Sequence, residues 1–315
     1  MKFGLMLAFG EDDSLEHTLP WERLRAMAVQ AEASGLDSIW GADHLVYHGD
    51  RVEGFHECWT LLAAIAAITE RVEIGPLVLA VPFRNPALTA KMAVALDEVS
   101  DGRLVLGLGT GWHEAEFDAF DYPFDHRVGR FAEALDILLP LLREGRARAA
   151  GQWHRADTVL RPRGPRPGGP PILIAGKGPR MLGLVARHAD AWNSAWYGPP
   201  DRAEGLDQRL ADLDAALRAE GRDPATLART VGVFVAFSHL LRATDEQPPD
   251  DVIAGTAEEV GRMLAGYRER RIDHLQAHLW PRTPEAVAEL GRAADVARGL
   301  IRDEPAGRVA TRTGR

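Results

Sequence analysis

Apolar positions along this chain of 315 residues follow two alternating rhythms. Short runs rich in β-branched and aromatic residues predict strands over residues 2–9 (KFGLMLAF), 37–43 (DSIWGAD), 72–79 (VEIGPLVL), 103–109 (RLVLGLG), 171–176 (PILIAG), 190–195 (DAWNSA), 230–237 (TVGVFVAF) and 274–280 (HLQAHLW). Between them lie longer stretches with apolar residues three and four apart, the spacing of a helix that buries one face. They include WERLRAMAVQAEASG, closed by Gly35, PALTAKMAVALDEVS, opened by Pro86, and GRFAEALDILLPLLREG. CWTLLAAIAAIT, PRMLGLVARH, LDQRLADLDAALRAEG, AEEVGRMLAGYRERR and PEAVAELGRAADVARGL complete the series.

Strand then helix, eight times over, predicts an α/β protein built as a parallel (β/α)8 TIM barrel over residues 1–302. A doubly wound open sheet is the alternative, and it needs no eighth repeat. Three insertions interrupt the rhythm: residues 110–126 after strand four, 240–256 after strand seven with the polar, proline-rich look of a mobile lid, and 146–170 before strand five. Residues 303–315 read as a flexible tail.

Composition narrows the partners. Lys+Arg 37 against Asp+Glu 46 leaves a net charge of -9, which repels the backbone of a nucleic acid. Cys58 is the only cysteine, so there is no internal disulfide and no cysteine-based zinc site. No apolar run reaches the roughly 18 to 20 residues that a membrane span needs, and Met1 leads into a strand without a hydrophobic leader. The expectation is a cytoplasmic protein with a small-molecule substrate and no membrane partner.

In a parallel barrel the chemistry sits where strands end. Strand two ends in WGADHL, which brings Asp43 and His44 to the mouth, although a loop with Asp43 capping a turn would read the same. His44 and His48 are four apart without a helical pattern around them, and no strand end carries the ligand set of a metal site. After strand three, Pro82 and Pro86 flank Arg84 and Asn85 and force a kink. Strand four runs into LVLGLGTGWHEAEF, where Gly107, Gly109 and Gly111 alternate. They share one face and leave room for a flat ligand against the backbone, or else form a glycine-rich corner. Trp112 stands where a dinucleotide fingerprint needs its third glycine, and its ring suits stacking. Strand five ends in AGKGPRML, where Gly176, Lys177 and Gly178 lead into a helix as an anion site does. A phosphorylated flavin or deazaflavin fits this arrangement: phosphate at strand five, ring over strands three and four, polar groups at strand two.

The motifs GADHL, IGPLVLAVPFRNPALTAKMAVALDEVSDGRLVLGLGTGWHEAEF, RFAEALDIL and PILIAGKGPRMLGLVARHADAWN resemble, in order and spacing, the bacterial luciferase-like superfamily of flavin- and F420-dependent enzymes. The resemblance covers nearly the whole chain and implies a (β/α)8 barrel and a homodimer through its outer helices. It also implies a bulge after strand three with a non-proline cis peptide at Leu77 and Val78, backing the cofactor ring, and a cofactor contact at Ala80. Asp43 and His44 match the pair near the ring, while Gly109, Thr110, Gly111 and Trp112 match the segment along it. Ala175, Gly176, Lys177 and Gly178 match the phosphate-binding turn. Trp112 replaces the glutamate, and His48 the tryptophan, of F420-dependent dehydrogenases acting on sugar phosphates or alcohols.

The expected function is an F420-dependent oxidoreductase that passes hydride between the deazaflavin and an organic substrate. In that reading His44 handles the proton and Asp43 orients it or contacts the ring. An FMN-dependent luciferase-like monooxygenase is the alternative, and a non-catalytic flavin-binding subunit the second. F420 is preferred because Arg161, Arg163 and Arg166, placed near the mouth, would attract its acidic tail.

Overall fold

The computed structural model describes residues 1–11, 17–49, 51–242, 244 and 246–303, the side chain of Asp303 excepted. Eight barrel strands carry the fold: β1 Lys2–Leu7, β2 Ser38–Gly41, β3 in two halves (Glu73–Pro76 and Leu79–Ala80), and β4 Leu106–Gly109. They continue as β5 Ile172–Ala175, β6 Ala191–Tyr197, β7 Ala228–Phe237 and β8 His274–Trp280. Each pairs in parallel with its neighbours, β8 with β1. The first half of β3 pairs with β2 and the second with β4, so the broken strand closes the ring. An Ile74–Leu104 bridge spans the gap.

The helices outside are α1 Trp21–Ala33, α2 Cys58–Ile68, α3 Pro86–Val99, α4 Arg127–Glu144, α5 Pro179–His188, α6 Leu206–Ala219, α7 Ala257–Gly266 and α8 Pro284–Asp303. In α1 the buried residues are Leu24, Met27, Ala28 and Ala31, one stripe at helical spacing. Asn85 caps α3 by accepting from the N–H groups of Ala87 and Leu88, and Pro86 follows at the first helical position. Among the described residues no helix is long and apolar enough to cross a membrane. Residues 304–315, in the expected tail, lie outside the described residues.

Inside the barrel the packing is layered. The floor under the mouth is apolar: Met6, Trp40, Leu77 and Leu173. Beneath it Ser38 Oγ meets His274 Nε2 at 2.8 Å and accepts from Trp40 Nε1, and Asn193 Nδ2 donates to Thr230 Oγ1 and Gln276 Oε1. Burial holds His274 neutral by lowering its pKa to about 3.

The insertions differ from expectation. Residues 110–126 contain a short helix, Glu114–Ala119, whose Phe117 packs on Phe83 and Phe124 with ring centroids 4.8 and 5.1 Å away. Six residues are too few to show a period, and tertiary packing holds them. The insertion before β5 is an antiparallel hairpin, Arg146–Ala150 with Arg155–Val159, whose turn is fixed by Glu133 accepting from the N–H groups of Gln152, Trp153 and His154. Its arginines are not near the mouth. Arg163 donates to the last carbonyls of α4, at Leu142, Arg143 and Glu144, and Arg166 pairs with Asp97 near the end of α3 and donates to the Leu104 carbonyl ahead of β4. The Arg161 carbonyl accepts from Lys91. A segment that joins a helix to the following strand emerges at the base of a parallel barrel, so the expected attraction of a cofactor tail fails on topology. After β7, Ile253–Gly255 runs beside the strand end, and Glu246 accepts from the backbone N–H and guanidinium of Arg282. Residues 243 and 245 of the expected lid lie outside the described residues.

Candidate active site

The break in β3 is a bulge with a cis peptide between Leu77 and Val78. It leans on β4, and this is what the glycines of β4 permit. A Cβ on Gly107 would stand 2.1 Å from the Pro76 carbonyl oxygen, and one on Gly109 would stand 2.6 Å from Val78 Cγ2. Gly111 has φ +69° and would meet Phe117 at 2.6 Å. Of the two readings of these glycines, room for a flat ligand or a glycine-rich corner, the side where a Cβ would stand is taken by the protein's own bulge and helix.

Asp43 is fully engaged in holding that wall. Its oxygens take a bidentate pair from Arg84 at 2.7 and 2.8 Å, and Oδ2 also accepts from the Ala80 N–H at 2.8 Å. Burial pushes the Asp43 carboxyl up against the pull of Arg84, and Arg84 also reaches Glu57 at 3.0 Å. Asp43 therefore ties the end of β2 to the far side of the bulge. Of the two roles expected for it, orienting His44 or contacting the ring, the first falls to Glu116 instead.

His44 has another partner. Its Nδ1 lies 3.0 Å from Glu116 Oε1, and Glu116 Oε2 accepts from the Leu45 N–H at 3.0 Å. Phe55 and Trp112 stand around the imidazole with ring centroids at 5.3 and 5.8 Å, Trp112 edge-on and 60% exposed. Tyr47 stacks on His113 at 4.4 Å and closes this rim. Thr110 Oγ1 donates to the neighbouring Gly111 carbonyl, which also accepts from Arg127.

At the end of β5, Ala175 and Gly176 lead through exposed Lys177 to Gly178, the N-cap of α5. No side chain caps this helix, and a Cβ on Gly178 would meet nothing within 4 Å. The first turn thus has no side-chain cap at the positive end of the helix, and Pro179 at its first position brings no N–H. Partial burial and then the charge of Arg209 lower the Lys177 pKa, so an anion here would relieve both cations.

A second bulge faces the same interior. The pairing of β6 with β7 shifts between Ser194 and Tyr197, around a cis peptide at Ala195–Trp196, and Gly232 of β7 makes room for it. A Cβ on Gly232 would lie 2.6 Å from the Trp196 ring. Trp196 stacks on Phe234 at 5.4 Å, and His278 stacks on Trp280 at 4.5 Å. Both bulges touch the apolar floor.

The structure thus brings His44, the Leu77–Val78 bulge, Ala80, Gly109 and Trp112 together at the strand ends, with the Lys177 turn on the same rim. Sequence reading missed Arg84, Glu116, Trp196 and Phe234 as site residues. Arg84 and Glu116 lie inside stretches already singled out, but their partners are about 40 and 70 residues away, and no local pattern names them.

The model of the luciferase-like monooxygenase family matches residues 1–299. The chain is 29% identical over 319 residues to a phthiodiolone/phenolphthiodiolone dimycocerosates ketoreductase of Mycobacterium sp. (strain JLS), covering 89% of this chain and 79% of that protein. It is 26% identical over 313 residues to an F420-dependent glucose-6-phosphate dehydrogenase of Amycolatopsis mediterranei (strain U-32), covering 87% and 92%. In fold it is similar to an F420-dependent secondary alcohol dehydrogenase solved with an F420-acetone adduct, with a TM-score of 0.74 at 17% identity over 94% of this chain and 99% of that one. With its broken third strand closing an eight-stranded barrel and its family match over residues 1–299, the chain belongs to the luciferase-like monooxygenase family.

Proposed function

We propose that this protein is an F420-dependent oxidoreductase acting on an organic carbonyl or alcohol. The observation that carries the reading is the uncapped start of α5, with Lys177 and Arg209 beside it, on the same rim as the Leu77–Val78 bulge and His44. A ligand with a phosphate at one end and a flat ring at the other meets complementary groups at both. With the basal arginines removed from the argument, the choice of F420 over FMN rests on the F420-dependent relatives.

When bound, the deazaflavin supplies or accepts the hydride. The chain's own residues do the rest. Leu77, Val78 and Ala80 would back the ring; Gly109, Thr110, Gly111 and Trp112 would lie along it; Ala175, Gly176, Lys177 and Gly178 would hold the phosphate. Asp43 keeps the backing wall in register through Arg84, and His44 moves the proton. Trp196 and Phe234 line the side where the substrate enters, an apolar wall suited to an uncharged ketone or its alcohol. A homodimer in the cytoplasm is the assembly and compartment this reading carries.

Fluorescence titration with F420 and with FMN tests it. Tight F420 binding, weaker by about tenfold or more in Lys177→Ala, is the expected result, since a charge-assisted contact contributes roughly 1.5–3 kcal/mol. Tight FMN binding instead would make the protein a flavin monooxygenase. Turnover is followed as oxidation of reduced F420 by 2-decanone or acetophenone; a cofactor that binds without turnover would point to a non-catalytic subunit.

A further inference from the structure

Glu116 is 1% exposed, and among the described residues the only ion pair it makes is with His44. A buried carboxylate without a counter-charge is costly enough that it either takes up a proton or sits against a positive group. Here the groups set against Glu116 are His44 Nδ1 and the Leu45 N–H. Its Oε2 is committed to the Leu45 N–H, which can only donate, so that oxygen stays an acceptor. Its Oε1 faces His44 Nδ1. A carboxylate at Nδ1 holds a hydrogen on that nitrogen and leaves Nε2, on the far side of the ring, as the exchanging atom. Among the described residues Nε2 has no hydrogen-bond partner, and the His44 side chain is 21% exposed within its fence of Phe55 and Trp112.

We infer that Glu116 is a positioning residue that fixes His44 as the Nδ1–H form and thereby makes Nε2 the atom that exchanges the substrate proton. The inference rests on the carbonyl chemistry proposed above for its purpose, and on the Glu116–His44 geometry for its mechanism. In the reducing direction two electrons reach the carbonyl carbon as hydride from the reduced cofactor. The π pair of the C–O bond moves to oxygen, which takes the proton from Nε2 of the imidazolium. The ring is left neutral with its Nδ1–H on Glu116 and regains a proton from solvent through the mouth. In the oxidising direction the neutral Nε2 accepts the hydroxyl proton as hydride leaves carbon for the oxidised cofactor.

Glu116→Gln is the decisive variant, because the amide oxygen can still accept from the Leu45 N–H while the charge is gone. Ring ¹⁵N resonances of histidine-labelled, cofactor-free protein read the tautomer directly, with His44→Gln identifying the His44 signals. The native ring should be predominantly Nδ1–H when neutral, and Glu116→Gln should shift it toward Nε2–H. Reduced-F420 oxidation with 2-decanone should lose roughly 10²-fold in kcat, the scale of general acid catalysis, with KM and F420 affinity held within about twofold. A native His44 found as Nε2–H overturns the inference without any variant, so a Glu116→Gln protein that failed to fold would leave the test intact. An unchanged tautomer or unchanged kcat in Glu116→Gln overturns it as well. Native protein that binds no F420 defeats the cofactor reading instead, and the tautomer measurement on cofactor-free protein still decides the dyad.

Discussion

The bulge in β3 and the bulge in β6 use the same device to different ends. In each, the chain leaves its register and folds inward, and a glycine on the next strand, Gly107 or Gly232, gives up the Cβ that would collide with it. The first presents the aliphatic Leu77 and Val78 and is braced from behind by the Asp43–Arg84 pair. The second presents an indole that stacks on Phe234 and has no such brace among the described ion pairs. A wall tied down by a buried ion pair suits a cofactor whose ring must be held in one place, whereas a wall of stacked rings adapts to the shape of a substrate.

Breaking the brace should have the largest effect. Arg84→Met leaves Asp43 buried with its carboxylate unpaired, and should cost about 3–5 kcal/mol in urea denaturation; the double variant with Asp43→Asn should recover part of that loss. Moving each bulge comes next. Gly107→Ala and Gly232→Ala should each destabilise by about 1–3 kcal/mol as the neighbouring strand gives way. Only the first should weaken F420 binding, and the second should raise KM for ketones. Equal effects of the two on F420 would erase the division between the walls.

Below both bulges, His274 makes stability depend on acid. The unfolded chain takes up its proton from about pH 6.5 downward, while the native protein, with burial lowering His274 to about 3, does not. Stability is therefore whole above about pH 7.5 and is lower by about 1.4 kcal/mol at pH 5.5 for this group. Denaturation of His274→Asn at the two pH values should show that part of the slope gone. The smallest effect on F420 belongs to the base: replacing Arg161, Arg163 and Arg166 with alanine should leave F420 affinity within about twofold, while Arg166→Ala strands the buried Asp97 and should cost stability as Arg84→Met does.

Much of the barrel could be read directly. Its eight strands and eight major helices follow the two hydrophobic periods, because each element buries one face against the next layer, and that requirement is written locally. The turn at Lys177 was legible for a similar reason, since a glycine turn entering a helix is written in adjacent residues; the anion it would hold belongs to the function proposed above. His44 was legible as chemistry, but its partner was not. Asp43 stands next to it in sequence, yet successive side chains diverge, and the carboxylate that reaches the imidazole comes from the helix after β4.

The sequence by itself determined the repeating β/α order, the end of the barrel where its polar and glycine-rich strand ends gather and the positions of its unusual glycines, all properties of short stretches governed by backbone preference and burial. Only the tertiary structure decided what those glycines face, which acid holds His44, and that Arg163 caps a helix end and Arg166 pairs with Asp97 at the base. Those outcomes depend on contacts between residues far apart in the chain, whose meeting is settled by how the strands close into a ring.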